Sequence, residues 1–195
     1  MKDDWYAKEI DLAQVGMGNL NQAGVTTNSW LNTEIFMYAW DMIREDGRFE
    51  SHDWTMKADP DAVIFAWRIR DLVRPHTPVE PSRTPKNPPF SDLLYFLNCN
   101  RVPPTAPGKP ALFGAVELFS KRALLTYYYS SFKSGVQCKK ELPWHGWGED
   151  LYMQKCMDLI GAKAVHEFGW VADKRCIPGT CSEPNHAAFH DFKDE

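Results

Sequence analysis

The stretch "DWTMKADPDAVIFAWRIRDLVR", residues 53–74, decides how the chain folds. Its opening favours β structure and reads as a short buried strand that ends at Asp59. Pro60 then fixes φ between two carboxylates, Asp59 and Asp61, and stiffens the turn. Apolar residues resume over 62–65 as a second brief strand, which runs into a helix that closes before Pro75. A strand, an acidic turn and a helix in so short a span point to an α/β protein.

The flanking sequence keeps up the alternation. "NTEIFMYAWDMIREDG" (32–47) offers Asn32 or Thr33 as N-cap, then Ile35, Phe36, Ala39, Trp40 and Ile43 at helical spacing, with Gly47 as the stop. "LLYFLNCN" (93–100) and "ALFGAVELFS" (111–120) read as further buried strands, and a helix is expected from about Lys121 through the tyrosines to Lys133. "GEDLYMQKCMDLIGA" (148–162) predicts a helix with Leu151, Cys156, Leu159 and Ile160 on its apolar stripe and Gly161 at its end. "KAVHEFGWVAD" (163–173) alternates like a strand. This pattern predicts a single α/β domain over residues 1–195 with a mixed, mainly parallel sheet flanked by helices.

Two stretches resist that scheme. Residues 1–31 are poorly defined; "GMGNLNQAG" (16–24) is a faint copy of a dinucleotide-binding glycine run, with no strand before it and no helix after. Residues 75–91 hold six prolines and predict an ordered surface loop.

At 195 residues, with 44% hydrophobic and 13% aromatic content, the chain can bury a sizeable core. Net charge is −4 with the basic residues scattered, which argues against a nucleic-acid surface. No run approaches the ~20 apolar residues needed to span a bilayer. The polar start "MKDDWYAKEIDLAQ" lacks the apolar core of a signal peptide, so the expectation is a soluble protein. The five cysteines lack a zinc-binding spacing. Reduced buried thiols fit them, and so do two disulfides with one cysteine left over, the spacing of "CIPGTC" (176–181) suiting a small disulfide loop.

Ligands of open α/β sheets sit beyond the carboxyl ends of the strands, where Asp59 and Asp61 fall. Two carboxylates across a tight turn can offer oxygens to one hard cation, Mg²⁺ or Mn²⁺, with substrate phosphates filling other positions. They can equally form a solvated turn or helix cap. A second pair, Glu149 and Asp150, opens a helix, where acids complement the dipole. Beside it Trp144, His145, Trp147 and Gly148 make a candidate sugar-binding surface of flat aromatic faces. Near the end, His186 and His190 offer imidazoles that can complete a metal shell.

Three stretches, in this order, resemble GT-A fold glycosyltransferases. "WTMKADPDAVIF" (54–65) is similar to the strand-plus-DxD segment of the β-1,3-galactosyltransferase and fringe type, in which a lysine precedes the acids. "FGAVELFSKRALLTY" (113–127) looks like their acceptor-side strand and helix. "GWGEDLYMQKCMDLIG" (146–161) resembles their Glu-Asp helix, and also the Trp-Gly-Gly-Glu-Asp motif of β-1,4-galactosyltransferases. The resemblance covers about residues 33–190.

That resemblance implies a metal-dependent enzyme moving a sugar from a nucleotide-diphosphate donor, a UDP-sugar first among them, to a hydroxyl of a glycan or glycoprotein. Asp61 would ligate Mn²⁺ or Mg²⁺, Asp59 would contact the donor ribose or the metal through water, and His190 would be the late metal ligand. Lys57 would belong to the donor-binding segment. Glu149 or Asp150 would be the base if the enzyme inverts. The chain departs from the family in placing Pro60 between the acids. It also has only residues 1–31 where a strand-helix-strand unit for the nucleotide base belongs. The expectation is a fragment of a longer chain, which for a eukaryotic family member would work in the Golgi lumen. The alternative is a catalytically inactive carbohydrate- or nucleotide-sugar-binding domain of the same fold.

Overall fold

A computed structural model of the chain describes residues 15–77, 92–101, 109–129 and 135–191. The predicted start is met closely. α1 (Thr33–Asp46) follows Asn32 and stops at Gly47, whose φ of 73° returns its N–H to the Ile43 carbonyl. Its buried residues are Thr33, Met37 and Trp40, at i, i+4 and i+7, so the buried stripe is rotated from the expected one and leaves Phe36 and Ile43 at its edge. β1 (Trp54–Ala58), β2 (Ala62–Ile64) and α2 (Ala66–Val73) reproduce the reading of the opening stretch. β1 is half-buried and not fully buried, because it lies at the edge of its sheet.

β3 (Leu94–Leu97) is buried throughout. β4 (Cys99–Arg101) and β5 (Lys109–Ala111) pair as a hairpin, and β6 (Val116–Ser120) follows. The single strand expected over 111–120 is therefore broken, by a turn at Gly114 and Ala115. α3 (Lys121–Tyr129) and α4 (Gly135–Glu141) lead to α5 (Glu149–Leu159). The end of the helix expected to reach Lys133 lies outside the described residues, as do 1–14 of the poorly defined start and 78–91 of the proline-rich loop. α5 buries Glu149, Tyr152, Met153, Cys156, Met157 and Ile160, a stripe of i, i+3, i+4 steps that leaves Leu151 and Leu159 half-buried. Gly169, at φ 93°, breaks the alternating segment into β7 (Lys163–His166) and β8 (Val171–Ala172), and β9 (Ala188–His190) ends the described chain.

The main sheet has the order β1-β6-β3-β7, and a second has β2-β9-β8. β1–β6, β3–β6, β2–β9 and β4–β5 are antiparallel; β3–β7 and β8–β9 are parallel. The sheet is mixed, and the expectation of a mainly parallel one is corrected. The reason lies between β3 and β6, where the described residues hold a hairpin and no crossover helix, so β6 returns antiparallel. α3, α4 and α5 do supply a crossover, and β7 runs parallel to β3.

Alternation along the strands divides the interior. Tyr95, Leu97 and Phe119 pack with α1, α3 and α5, where Trp40 meets Phe119 edge-to-face at 5.3 Å. Phe96, Val116 and Leu118 pack on the other face with Ile69, Val73 and Trp170. Two disulfides pin these layers, Cys138–Cys156 between α4 and α5 and Cys99–Cys176 between β4 and the loop after β8. The Cys176–Cys181 loop suggested by spacing does not form. A turn bonded from Cys176 N–H to Asp173 O leaves Cys176 packed on the second core, where Cys99 is buried, while Cys181 stays a free, exposed thiol. No helix among the described residues is long and apolar enough to cross a membrane.

Candidate functional site

Backbone pairing builds the acidic corner. Asp59 follows β1, its N–H bonded to Ala115 O, and Ala62 N–H closes the Asp-Pro-Asp turn on Asp59 O at 3.0 Å. β2 then pairs with β9 in a register that sets Ala62 opposite His190. That register carries an imidazole from the end of the chain to the two acids. His190 Nε2 is 3.3 Å from Asp61 Oδ1 and 3.8 Å from Asp59 Oδ2. One ligand atom from each of the three lies within 4.8 Å of the others. Two carboxylates and one imidazole form a donor set suited to a small divalent cation, the nitrogen favouring Mn²⁺ over Mg²⁺.

Asp173 and Arg175 stand behind this trio, and the sequence reading missed both. Asp173 follows β8, whose parallel pairing with β9 sets Ala172 beside Phe189. Its buried carboxylate lies 2.7 Å from His190 Nδ1. With its proton on Nδ1 and donated to Asp173, His190 would turn the Nε2 lone pair toward the acids, the arrangement by which second-sphere carboxylates orient metal-binding histidines. Burial would raise the Asp173 carboxyl, but hydrogen bonds from Arg175 and His190 outweigh it and hold it at about 2. Arg175 clasps both Asp173 oxygens at 2.9 Å and lays its guanidinium 4.8 Å from the Phe113 ring centre. Asp173→Asn should weaken Mn²⁺ binding by about 10–100-fold in a calorimetric titration. An unchanged affinity would remove His190 from the ligand set.

Lys57, placed by the resemblance in the donor-binding segment, ties the two acidic groups together. Its ammonium donates to Asp59 Oδ1 at 2.7 Å, to Glu149 Oε1 at 3.0 Å and to the Gly114 carbonyl. In the β1–β6 ladder it stands opposite Glu117, so the two share a face. Burial works against the Lys57 charge, and the carboxyls of Glu117, Glu149 and Asp59 outweigh it, raising the ammonium above its usual range. Glu117 is fully buried, and among the described residues neither carboxyl oxygen has a hydrogen-bond partner. Burial pushes its carboxyl well above the ordinary range, more than Lys57 offsets. Gly114 makes room for this knot: a Cβ there would sit 2.6 Å from Glu149 Oε1.

A cleft of about 910 Å³ joins these parts. Asp59, Asp61, His190 and Arg175 line it together with Gly148, Glu149 and Asp150 at the head of α5. The expected aromatic surface is elsewhere. Trp144 is 7% exposed and packs in the first core, donating Nε1–H to Lys139 O. His145 stacks on it at 4.0 Å, and Trp147 packs against the same core. Gly148 alone of that group lines the cleft. His186 is likewise structural, held between Gly169 O and Glu183. The indole on the cleft wall is Trp30, from the poorly defined start of the sequence.

No protein-family model matches the chain. The resemblance to GT-A enzymes rests on its three stretches alone.

Proposed function

We propose that the cleft is the active site of a metal-dependent glycosyltransferase that moves a sugar from a nucleotide-diphosphate donor to an acceptor hydroxyl. The observation that carries this reading is the convergence of Asp59, Asp61 and His190 on one wall of the cleft that Glu149 and Asp150 also line. Its reaction type comes from the GT-A resemblance. Asp59, Asp61 and His190 would hold Mn²⁺ or Mg²⁺, whose chemistry here is to neutralise a leaving diphosphate. Arg175, whose fork is spent on Asp173, lines the same cleft and adds positive charge beside the diphosphate's place. Asp150 is half-buried on the cleft, whereas Glu149 is buried and holds Lys57 at 3.0 Å, so we assign Asp150 as the base. It takes the proton of the acceptor hydroxyl as the oxygen bonds to the sugar's anomeric carbon and the diphosphate departs. The two disulfides suit an oxidising compartment such as the secretory lumen.

The test is release of UDP from UDP-sugars in Mn²⁺ with a pool of neutral glycosides as acceptors. Release that needs both metal and glycoside supports transfer. UDP binding without any release would make the chain a binding domain of the same fold.

A further inference from the structure

The wall of the cleft opposite in character to the acidic corner has no role in the metal chemistry. We propose that segment 26–32 is the acceptor-sugar subsite, with Trp30 the platform on which a neutral pyranose ring stacks. This inference rests on the glycosyltransferase reading for the word acceptor, while ring binding itself stands on the segment's own features.

Trp30 is 56% exposed and lines the cleft, whereas Trp40, Trp144 and Trp170 are buried. A large indole kept at the surface of a cleft is a site for a ring with an apolar face. Trp67 is as exposed but packs on Phe65 at 5.0 Å and beside Arg68, away from the cleft.

The platform is held rigidly. Met17 and Trp30 form an antiparallel bridge, Gly18 N–H reaches Ser29 O at 2.8 Å, and Leu31 N–H reaches Gly16 O at 2.9 Å. Gly18 allows that closeness, since a Cβ there would clash with the Thr27 carbonyl. Thr26 N–H then ties the hairpin to Gly146 O at 2.9 Å, and Thr33 Oγ1 donates to Trp147 O at 2.8 Å. A pre-organised wall loses little entropy when a ligand docks.

Charge identifies the ligand. The chain is 25% charged, yet residues 15–32 contain no ionisable side chain at all. Around Trp30 the cleft presents Thr26, Thr27, Ser29 and Asn32, hydroxyls and an amide that pair with sugar hydroxyls. Among the described residues, phosphate finds no cation beside Trp30; Arg175 supplies one beside His190 instead. The segment is bonded to the loop leading into Gly148, Glu149 and Asp150, so a ring on Trp30 belongs with the carboxylates that handle the acceptor. A nucleobase could use the same indole, and the experiment separates the two.

Saturation-transfer NMR of the 195-residue chain in EDTA, with neutral methyl glycosides, neutral disaccharides and uridine as probes, tests the proposal. At least one glycoside should bind without metal. Trp30→Ala should weaken it about tenfold, and Trp30→Phe should restore most of the loss. Trp67→Ala, which removes an equally exposed indole outside the cleft, should leave glycoside binding unchanged. No glycoside binding to the folded protein, or wild-type binding by Trp30→Ala, overturns the proposal. Trp30-dependent binding of uridine in place of glycosides overturns it too. Glycoside binding that needs Trp30 in a chain that binds no UDP with Mn²⁺ would keep this inference and remove the glycosyltransferase reading.

Discussion

Lys57→Met should lower the unfolding free energy by about 3–5 kcal/mol, the usual cost of stripping the partner from a buried charge cluster. Lys57 is the cation that touches both Asp59 and Glu149, and it faces Glu117 across the strand pair. Methionine keeps an unbranched apolar stem beside Phe36, where the ammonium now lies 4.6 Å from the ring centre. The loss is therefore electrostatic, since Asp59 and Glu149 remain half- or fully shielded from water with no counter-charge between them. Chemical denaturation checks it. Adding Glu149→Gln should recover part of the loss, the non-additivity that marks residues in one network. A loss below about 1 kcal/mol, the range of exposed pairs, would show that the cluster does not hold the site together.

Asp150→Asn should reduce turnover by about 10²–10⁴-fold, the span associated with a positioned general base. UDP affinity in Mn²⁺ should stay unchanged, because Asp150 stands at the head of α5 and not among the three ligand groups. The measurement is UDP release under saturating donor, with binding followed separately. Glu149→Gln should lose stability first, because its carboxylate anchors Lys57. Full turnover in Asp150→Asn, with loss in a folded Glu149→Gln, would exchange the two assignments.

Much of the local structure was legible because it depends on short-range chemistry. Gly47 in the left-handed region ends α1, and the Asp-Pro-Asp turn follows a strand as read. Pairing was not legible, since register and direction depend on partners distant in sequence. The hairpin at β4 and β5 turns β6 antiparallel, and Cys176 meets Cys99 rather than its near neighbour. The site divides in the same way. Asp59, Asp61 and His190 could be nominated from residue type, but only the β2–β9 register brings them together. Asp173 and Arg175 carried no spacing signal, being placed by β8 beside β9. Trp144 packs in the core and Trp147 against it, and an aromatic near acids looks the same in sequence whether it faces a ligand or a core. The uncharged run around Trp30 was the available clue to the opposite wall.

The proposed function stands or falls on one property, that Asp59, Asp61 and His190 hold a divalent cation that in turn holds a nucleotide diphosphate. Calorimetric titration of UDP into the chain with Mn²⁺, then with EDTA, and then into Asp61→Ala tests it most directly. Binding should require Mn²⁺ and be lost in the variant. Binding that persists in EDTA or in Asp61→Ala, or no binding by the folded wild-type chain, would contradict it.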